Sequence, residues 1–173
     1  MRSLLTYVGR TPVFSSLKYS KTIAKILLAS KEDGINRADA LVVEALISSA
    51  NAAHKFITLA ELFVPIPSTS RSARKRGRNY MEHISQQLGG DQGISVRNIL
   101  FHTRRVSDQS VLDAEARGKN LLGAMGIRDQ GRRRPAVVLA DDLLTTGSTM
   151  KEAIRTLEGG GFRVVAGITA FLA

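Results

Sequence analysis

Apolar and polar positions along this chain fall into blocks that switch between helical and strand periods. Phe14, Leu17, Ile23 and Leu27 recur at helical spacing with Lys and Ser between them, which predicts a helix over residues 14–29. Asn36 is placed to cap a second helix running through DALVVEALISSA. The short run LFVPI, at 62–66, reads as a buried strand that Pro65 and Pro67 turn out into a loop. A helix is expected over 79–88, stopped by Gly89 and Gly90, and a strand over 99–102. Residues 104–120 are polar, with one weak helical patch at 112–119. A strand at 136–140 precedes the helical pattern MKEAIRTLEGG, which Gly159, Gly160 and Gly161 end, and a last strand covers 164–172. Strands alternating with helices predict an α/β fold whose open, mainly parallel sheet is flanked by helices. There is no internal repeat, and the linker-like segment at 129–135 lies inside the pattern, so 1–173 reads as one domain.

The densest chemistry sits at 137–149, VVLADDLLTTGST. Apolar residues lead into two adjacent aspartates, then into hydroxyl residues around a glycine, then into a helix. Loops at the carboxyl ends of strands in open α/β sheets are where ligands bind. Asp141 and Asp142 offer acceptors for hydroxyls or a metal-bound polyol. Thr145, Thr146, Gly147, Ser148 and Thr149 offer hydroxyls and backbone N–H groups at a helix N-terminus, where a phosphate is well placed. A sugar phosphate needs both. Thr149 and Glu152 also have capping-box spacing, which accounts for a hydroxyl before the helix but not for the rest of the string. The GxxxxGK[ST] loop of nucleoside triphosphatases is absent: Lys151 is four residues from Gly147.

The string resembles the phosphoribosyl pyrophosphate (PRPP) motif of type I phosphoribosyltransferases. The resemblance implies that Asp141 and Asp142 are the catalytic-site pair that holds the ribose 2′ and 3′ hydroxyls, and that Thr145, Thr146, Gly147, Ser148 and Thr149 wrap the 5′-phosphate. Three further stretches narrow it. VPIPSTSRSARKRGRN at 64–79, RRVSDQSVLDAEARGKNLLGAM at 104–125 and SSLKYSKTIAKILLASKEDG at 15–34 are similar to segments of the competence protein ComF family. That family implies a type I phosphoribosyltransferase fold with a small N-terminal helical hood, here 1–55, packed on the rest. It implies PRPP as ligand, Mg²⁺ bound through PRPP rather than by a protein metal site, and pentosyl transfer to an acceptor the sequence does not name. The alternative it carries is a non-catalytic protein that binds single-stranded DNA or a partner in DNA uptake. The chain departs from the family in three places. It has no Cys, so the four-cysteine zinc ribbon of many members is out; the usual Gln after R-G-x-N is Tyr80; and the Phe closing GAF is Met125.

Charge extends this picture. A formal net charge of +10 favours polyanionic partners, small or nucleic. Ser68, Thr69, Ser70 and Arg71 follow a predicted strand and are placed to clasp pyrophosphate, while the rest of RSARKRGR reads equally as a solvated basic turn or a nucleic-acid patch. Arg104, Arg105, Asp108 and Gln109 open the long polar segment and are expected in a flexible loop that closes over substrate. A third basic cluster is Arg132, Arg133 and Arg134. With no Cys, disulfides and thiolate metal sites are excluded. His54, His83 and His102 show no metal-ligand spacing, Tyr7, Tyr19 and Tyr80 are too sparse for a base-stacking platform, and no Ser-His-Asp arrangement can be argued from spacing. No apolar run approaches a membrane span, and the N-terminal apolar patch is too short and interrupted for a secretory signal, so a cytoplasmic location is expected. A homo-oligomer is left open.

Overall fold

The computed structural model describes residues 3–33, 35–68, 79–104, 121–128, 131 and 133–173. The strands are β1 (Leu4–Val8), β2 (Thr11–Lys18), β3 (Leu62–Pro65), β4 (Ser95–Val96), β5 (Leu100–His102), β6 (Met125–Ile127), β7 (Ala136–Leu144) and β8 (Arg163–Leu172). The helices are α1 (Lys21–Leu28), continued by a π-helical turn Ala29–Asp33, then α2 (Asn36–Ala52), the short α3 (His54–Ile57), α4 (Tyr80–Gln92) and α5 (Ser148–Gly159). Six strands form one sheet in the order β1-β2-β8-β7-β3-β4, parallel throughout except for the edge hairpin β1–β2. β5 and β6 form a separate antiparallel hairpin. This is the expected open, mainly parallel α/β sheet flanked by helices.

The central strand β7 explains the two-layered core. Ala136 to Ala140 are all buried, as a strand covered on both faces requires. Successive side chains point to opposite faces. Val138 and Ala140 join Phe14, Phe63 and Ile168 under α1, α2 and α4, where Leu27, Leu46 and Ile84 cover them. Val137 and Leu139 join Val13 and Val64 under α5 and the β5–β6 hairpin, where Met150, Leu157, Leu100 and Met125 cover them. No helix among the described residues is long and apolar enough to cross a membrane.

The N-terminal third differs from expectation. Residues 14–18 belong to β2, not to a helix, and the helix starts at Lys21 with Ser20 as its cap. Ser15 sits fully buried in that strand because its hydroxyl meets the Thr169 hydroxyl of β8 at 2.7 Å. The region 1–55, expected as a helical hood, instead supplies two sheet strands and the helices α1 and α2 packed on the sheet face. Asn36 is the first residue of α2, after Ile35 at the cap position, and makes no side-chain cap bond. α4 runs through Gly89 and Gly90 and stops at Gly93, whose φ of 64° gives the left-handed cap. Gly89 serves close packing: a Cβ there would lie 2.5 Å from Val96 Cγ2 and 2.7 Å from the Ile94 carbonyl oxygen.

Candidate active site

The site gathers where β3 and β7 end. β7 continues past Ala140, so Asp141 and Asp142 are strand residues paired alongside β8, with Asp141 opposite Thr169. Strand alternation then separates them. Asp142 continues the face of Val138 and Ala140 and is buried beside the π-helical turn after α1, where Lys31 Nζ forms an ion pair with its Oδ2. Asp141 continues the face of Val137 and Leu139 and is half-buried. Its Oδ1 accepts the Asp142 N–H at 2.9 Å. Burial, and then the neighbouring Asp142 carboxylate, push the Asp141 carboxyl up to about 8, against the opposing pull of Lys31 and the amide.

Beyond the strand, Thr145 and Thr146 are exposed and Gly147 takes φ 74° at the cap position of α5. That conformation suits glycine, and a Cβ would stand 3.1 Å from Val8 Cγ2 of the edge hairpin. With glycine at the cap, the first-turn amides receive no capping side chain; Thr146 Oγ1 reaches the Ser148 N–H only at 3.4 Å and lies 3.0 Å from Ser148 Oγ. Amides at a helix start whose acceptors are left to others form an anion site. The expected capping box is absent. Thr149 is inside the helix, and Glu152 turns inward to the Met125 and Gly123 amides and to Arg155, whose Nε donates at 2.7 Å. Glu152 thereby ties α5 to the β5–β6 hairpin.

The other expected groups divide. Ser68 lies in the loop leaving β3, half-buried, beside Pro67, whose carbonyl accepts from His102 Nε2 of β5 at 3.0 Å. This bond brings the base of the β5–β6 hairpin to the end of β3. Arg104 stands just after β5 and donates to the Leu122 carbonyl at 3.2 Å, bridging the mouth of the excursion between β5 and β6. Thr69, Ser70 and Arg71, and Arg105, Asp108 and Gln109, lie outside the described residues, as do the rest of RSARKRGR and the weak helical patch. Of the third basic cluster, Arg132 lies outside the described residues; Arg133 and Arg134 precede β7 and so lie at its amino end, away from the aspartates. Arg133 pairs there with Glu61 at 2.6 Å, and Arg134 donates to the Gly160 carbonyl at 2.8 Å and covers the Phe162 ring.

Two contributors were not singled out by sequence reasoning. Lys31 looked like one cation among many on a helix. Tyr80, noted as a departure from the family pattern, is fully buried, with Lys31 Nζ 5.7 Å from its ring centroid and its hydroxyl 2.9 Å from Ser30 Oγ. The departure at Tyr80 thus marked a position beside the site, although its polar partner could not be read from the chain.

No family model matches the chain. Among curated proteins it is similar to competence protein F of Haemophilus influenzae, with 30% identity over 126 residues, 71% of this chain and 55% of that protein. The chain therefore spans about half the length of this curated relative. Among solved structures it is similar to orotate phosphoribosyltransferase from Aeropyrum pernix, at 10% identity and a TM-score of 0.47 over 82% of this chain and 74% of that one. It is similar also to adenine phosphoribosyltransferase from Leishmania donovani, at 12% identity and a TM-score of 0.47 over 96% of this chain and 73% of that one.

Proposed function

This chain is a relative of competence protein F, and from that kinship we propose that it is a phosphoribosyltransferase-like protein that binds PRPP, with Mg²⁺, at the carboxyl end of β7. The observation that carries the reading is a succession on one strand end: the carboxylates of Asp141 and Asp142, then a left-handed Gly147 that opens α5 without a side-chain cap. Ribose hydroxyls donate to the Asp142 carboxylate and to the Asp141 carboxyl oxygens. The 5′-phosphate takes the first-turn amides of α5 and the hydroxyls of Thr145, Thr146, Ser148 and Thr149. Pyrophosphate falls to Ser68, Thr69, Ser70 and Arg71 after β3, and Arg104, Arg105, Asp108 and Gln109 belong to the excursion that closes over it.

Among the described residues no three His, Cys, Asp or Glu side chains converge, and Asp142 already faces Lys31. These residues fit a metal that arrives on the ligand's pyrophosphate, where it neutralises leaving-group charge. The chain itself holds that charge in place, orients the ribose and excludes water; the chemistry calls for no protein nucleophile. The phosphoribosyl group then passes to an acceptor.

A second reading keeps the phosphate site without turnover and turns the basic surface to single-stranded DNA or to a partner in DNA uptake. The relative's name and the net charge of +10 favour it.

Calorimetric titration with PRPP and Mg²⁺, followed by pyrophosphate release across nucleobases and ammonia, separates the two. Binding with release supports the enzyme. Binding without release supports the second reading when accompanied by DNA affinity, whose salt slope falls by about 0.7 for each DNA phosphate that a charge-removal variant no longer neutralises. Gly147→Val is expected to abolish binding of PRPP and ribose 5-phosphate alike. Normal ribose 5-phosphate binding by that variant would remove the loop from the site.

A further inference from the structure

We propose that Lys31 is a positioning residue of the ribose subsite: its ammonium holds the Asp142 carboxylate in place from the α1 side of the sheet, so that Asp142 can accept ligand hydroxyls. The inference rests on the reading that Asp142 is such an acceptor.

The side chain of Asp142 is 7% exposed and that of Lys31 28%. A carboxylate this deep is costly unless a cation answers it. Lys31 answers it from the π-helical turn Ala29–Asp33, which extends α1 beyond its regular end. Single π turns of this kind recur at functional sites.

The residue next to Lys31 is anchored. Ser30 Oγ lies 2.6 Å from Asp39 Oδ1 and 2.9 Å from the Tyr80 hydroxyl. His83 Nε2 stands 3.6 Å from Asp39 Oδ2. Ser30, Asp39 and Tyr80 are all buried, and the Tyr80 ring lies beneath the Lys31 ammonium. Two helices, α2 and α4, thus fix the turn that carries Lys31, and a fixed supporting shell is what a precise site requires. Lys31 also works on the neighbouring acid: it pulls Asp141 toward ionisation, against burial and Asp142. Without it, two adjacent carboxyls have a strong reason to share one proton.

The test is calorimetric titration of ribose 5-phosphate from pH 5.5 to 9, on the full chain, with Lys31→Met, Lys31→Arg, Asp142→Asn and the double variant Lys31→Met/Asp142→Asn. Among the described residues the groups facing this site include Lys31, Asp39, Tyr80, His83, Asp141 and Asp142, and only Lys31 and Asp142 are changed. Lys31→Met is expected to lose about tenfold or more in affinity at pH 7. Its acid limb should move to higher pH, so that the deficit narrows by pH 9. Lys31→Arg should recover most of the loss, and the double variant should be no worse than Asp142→Asn. Wild-type affinity in Lys31→Met at every pH overturns the proposal. An equal loss in Met and Arg variants with an unmoved acid limb overturns it too, because a merely structural lysine behaves in that way. If Lys31→Met does not fold, Lys31→Arg decides: affinity more than about tenfold below wild type overturns the proposal. If Asp142→Asn binds as wild type does, the underlying reading of Asp142 fails, whatever Lys31 shows.

Discussion

Two acidic sites, one at the end of β7 and one on α5, show how differently buried carboxyl groups can be held. Glu152 on α5 is saturated. Arg155 donates through Nε at 2.7 Å and Nη2 at 2.8 Å, Thr156 Oγ1 lies at 3.4 Å, and the Met125 and Gly123 amides add their N–H groups. Burial alone would raise its carboxyl, but Arg155 and the amides more than offset this and leave it below the ordinary glutamate value. At the end of β7, by contrast, Asp142 has the Lys31 ammonium on Oδ2 and no further hydrogen-bond partner for that atom among the described residues, and Asp141 is pushed up to about 8. A carboxylate that donors from two elements have filled has nothing left to offer a ligand. A pair kept short of donors stores binding capacity, and perturbed acids of this kind collect at functional sites.

That contrast can be broken at three points. The largest effect is expected at Glu152. Glu152→Ala should cost about 3 kcal/mol of stability, at the low end for a broken buried pair because Arg155 is half-exposed. Ribose 5-phosphate affinity of the folded protein should change little. Denaturant unfolding and calorimetry report the two quantities, and a large affinity loss at unchanged stability would reverse the roles assigned to the two acids.

Asp142→Asn should do the opposite. A hydrogen bond to a charged acceptor is worth about 1.5–3 kcal/mol, so ligand affinity should fall roughly tenfold or more. Stability should fall by less than about 1 kcal/mol, since the partly exposed Lys31 can be solvated. A stability loss matching that of Glu152→Ala, with affinity intact, would make Asp142 a structural residue.

The smallest effect concerns pH. The Asp141 carboxyl is raised on folding, so between about pH 4 and 8 the folded state keeps a proton that the unfolded chain releases. Its contribution is full at the low end and is lost as pH rises through that window. Glu152 acts with the other sign, but below it, because its carboxyl is lowered and its contribution fades only as acid protonates it. Asp141→Asn should therefore flatten the decline in stability and exceed wild type above pH 8, by an amount on the order of 1 kcal/mol. Thermal midpoints at pH 6 and pH 9 measure this. Parallel midpoints in both proteins would mean that Asp141 titrates normally.

Local pattern was enough wherever the answer depended on neighbours along the chain. The buried run before Asp141, the glycine that opens α5 and the helix after it are all legible, because a strand covered on both faces reads as continuous apolar sequence and a left-handed turn requires glycine. Such reasoning therefore reached the strand–loop–helix unit and the alternation that makes the sheet parallel. It failed where a polar side chain finds its partner far away. Ser15 counted as solvent-facing and suggested a helix, yet Thr169, more than a hundred and fifty residues on, takes its hydroxyl into the sheet. Glu152 had capping-box spacing, yet its acceptors turn to the hairpin amides. Gly89 looked like a helix stop, yet it is there because Val96 packs against it. Lys31 and Asp142 are separated by most of the chain, and only the closing of α1 onto the sheet makes them a pair. The chain's own order of residues determined which polar groups follow one another at the end of β7. Folding decided which of them are already satisfied, because hydrogen bonds and ion pairs are short-range and their partners are set by packing, not by spacing.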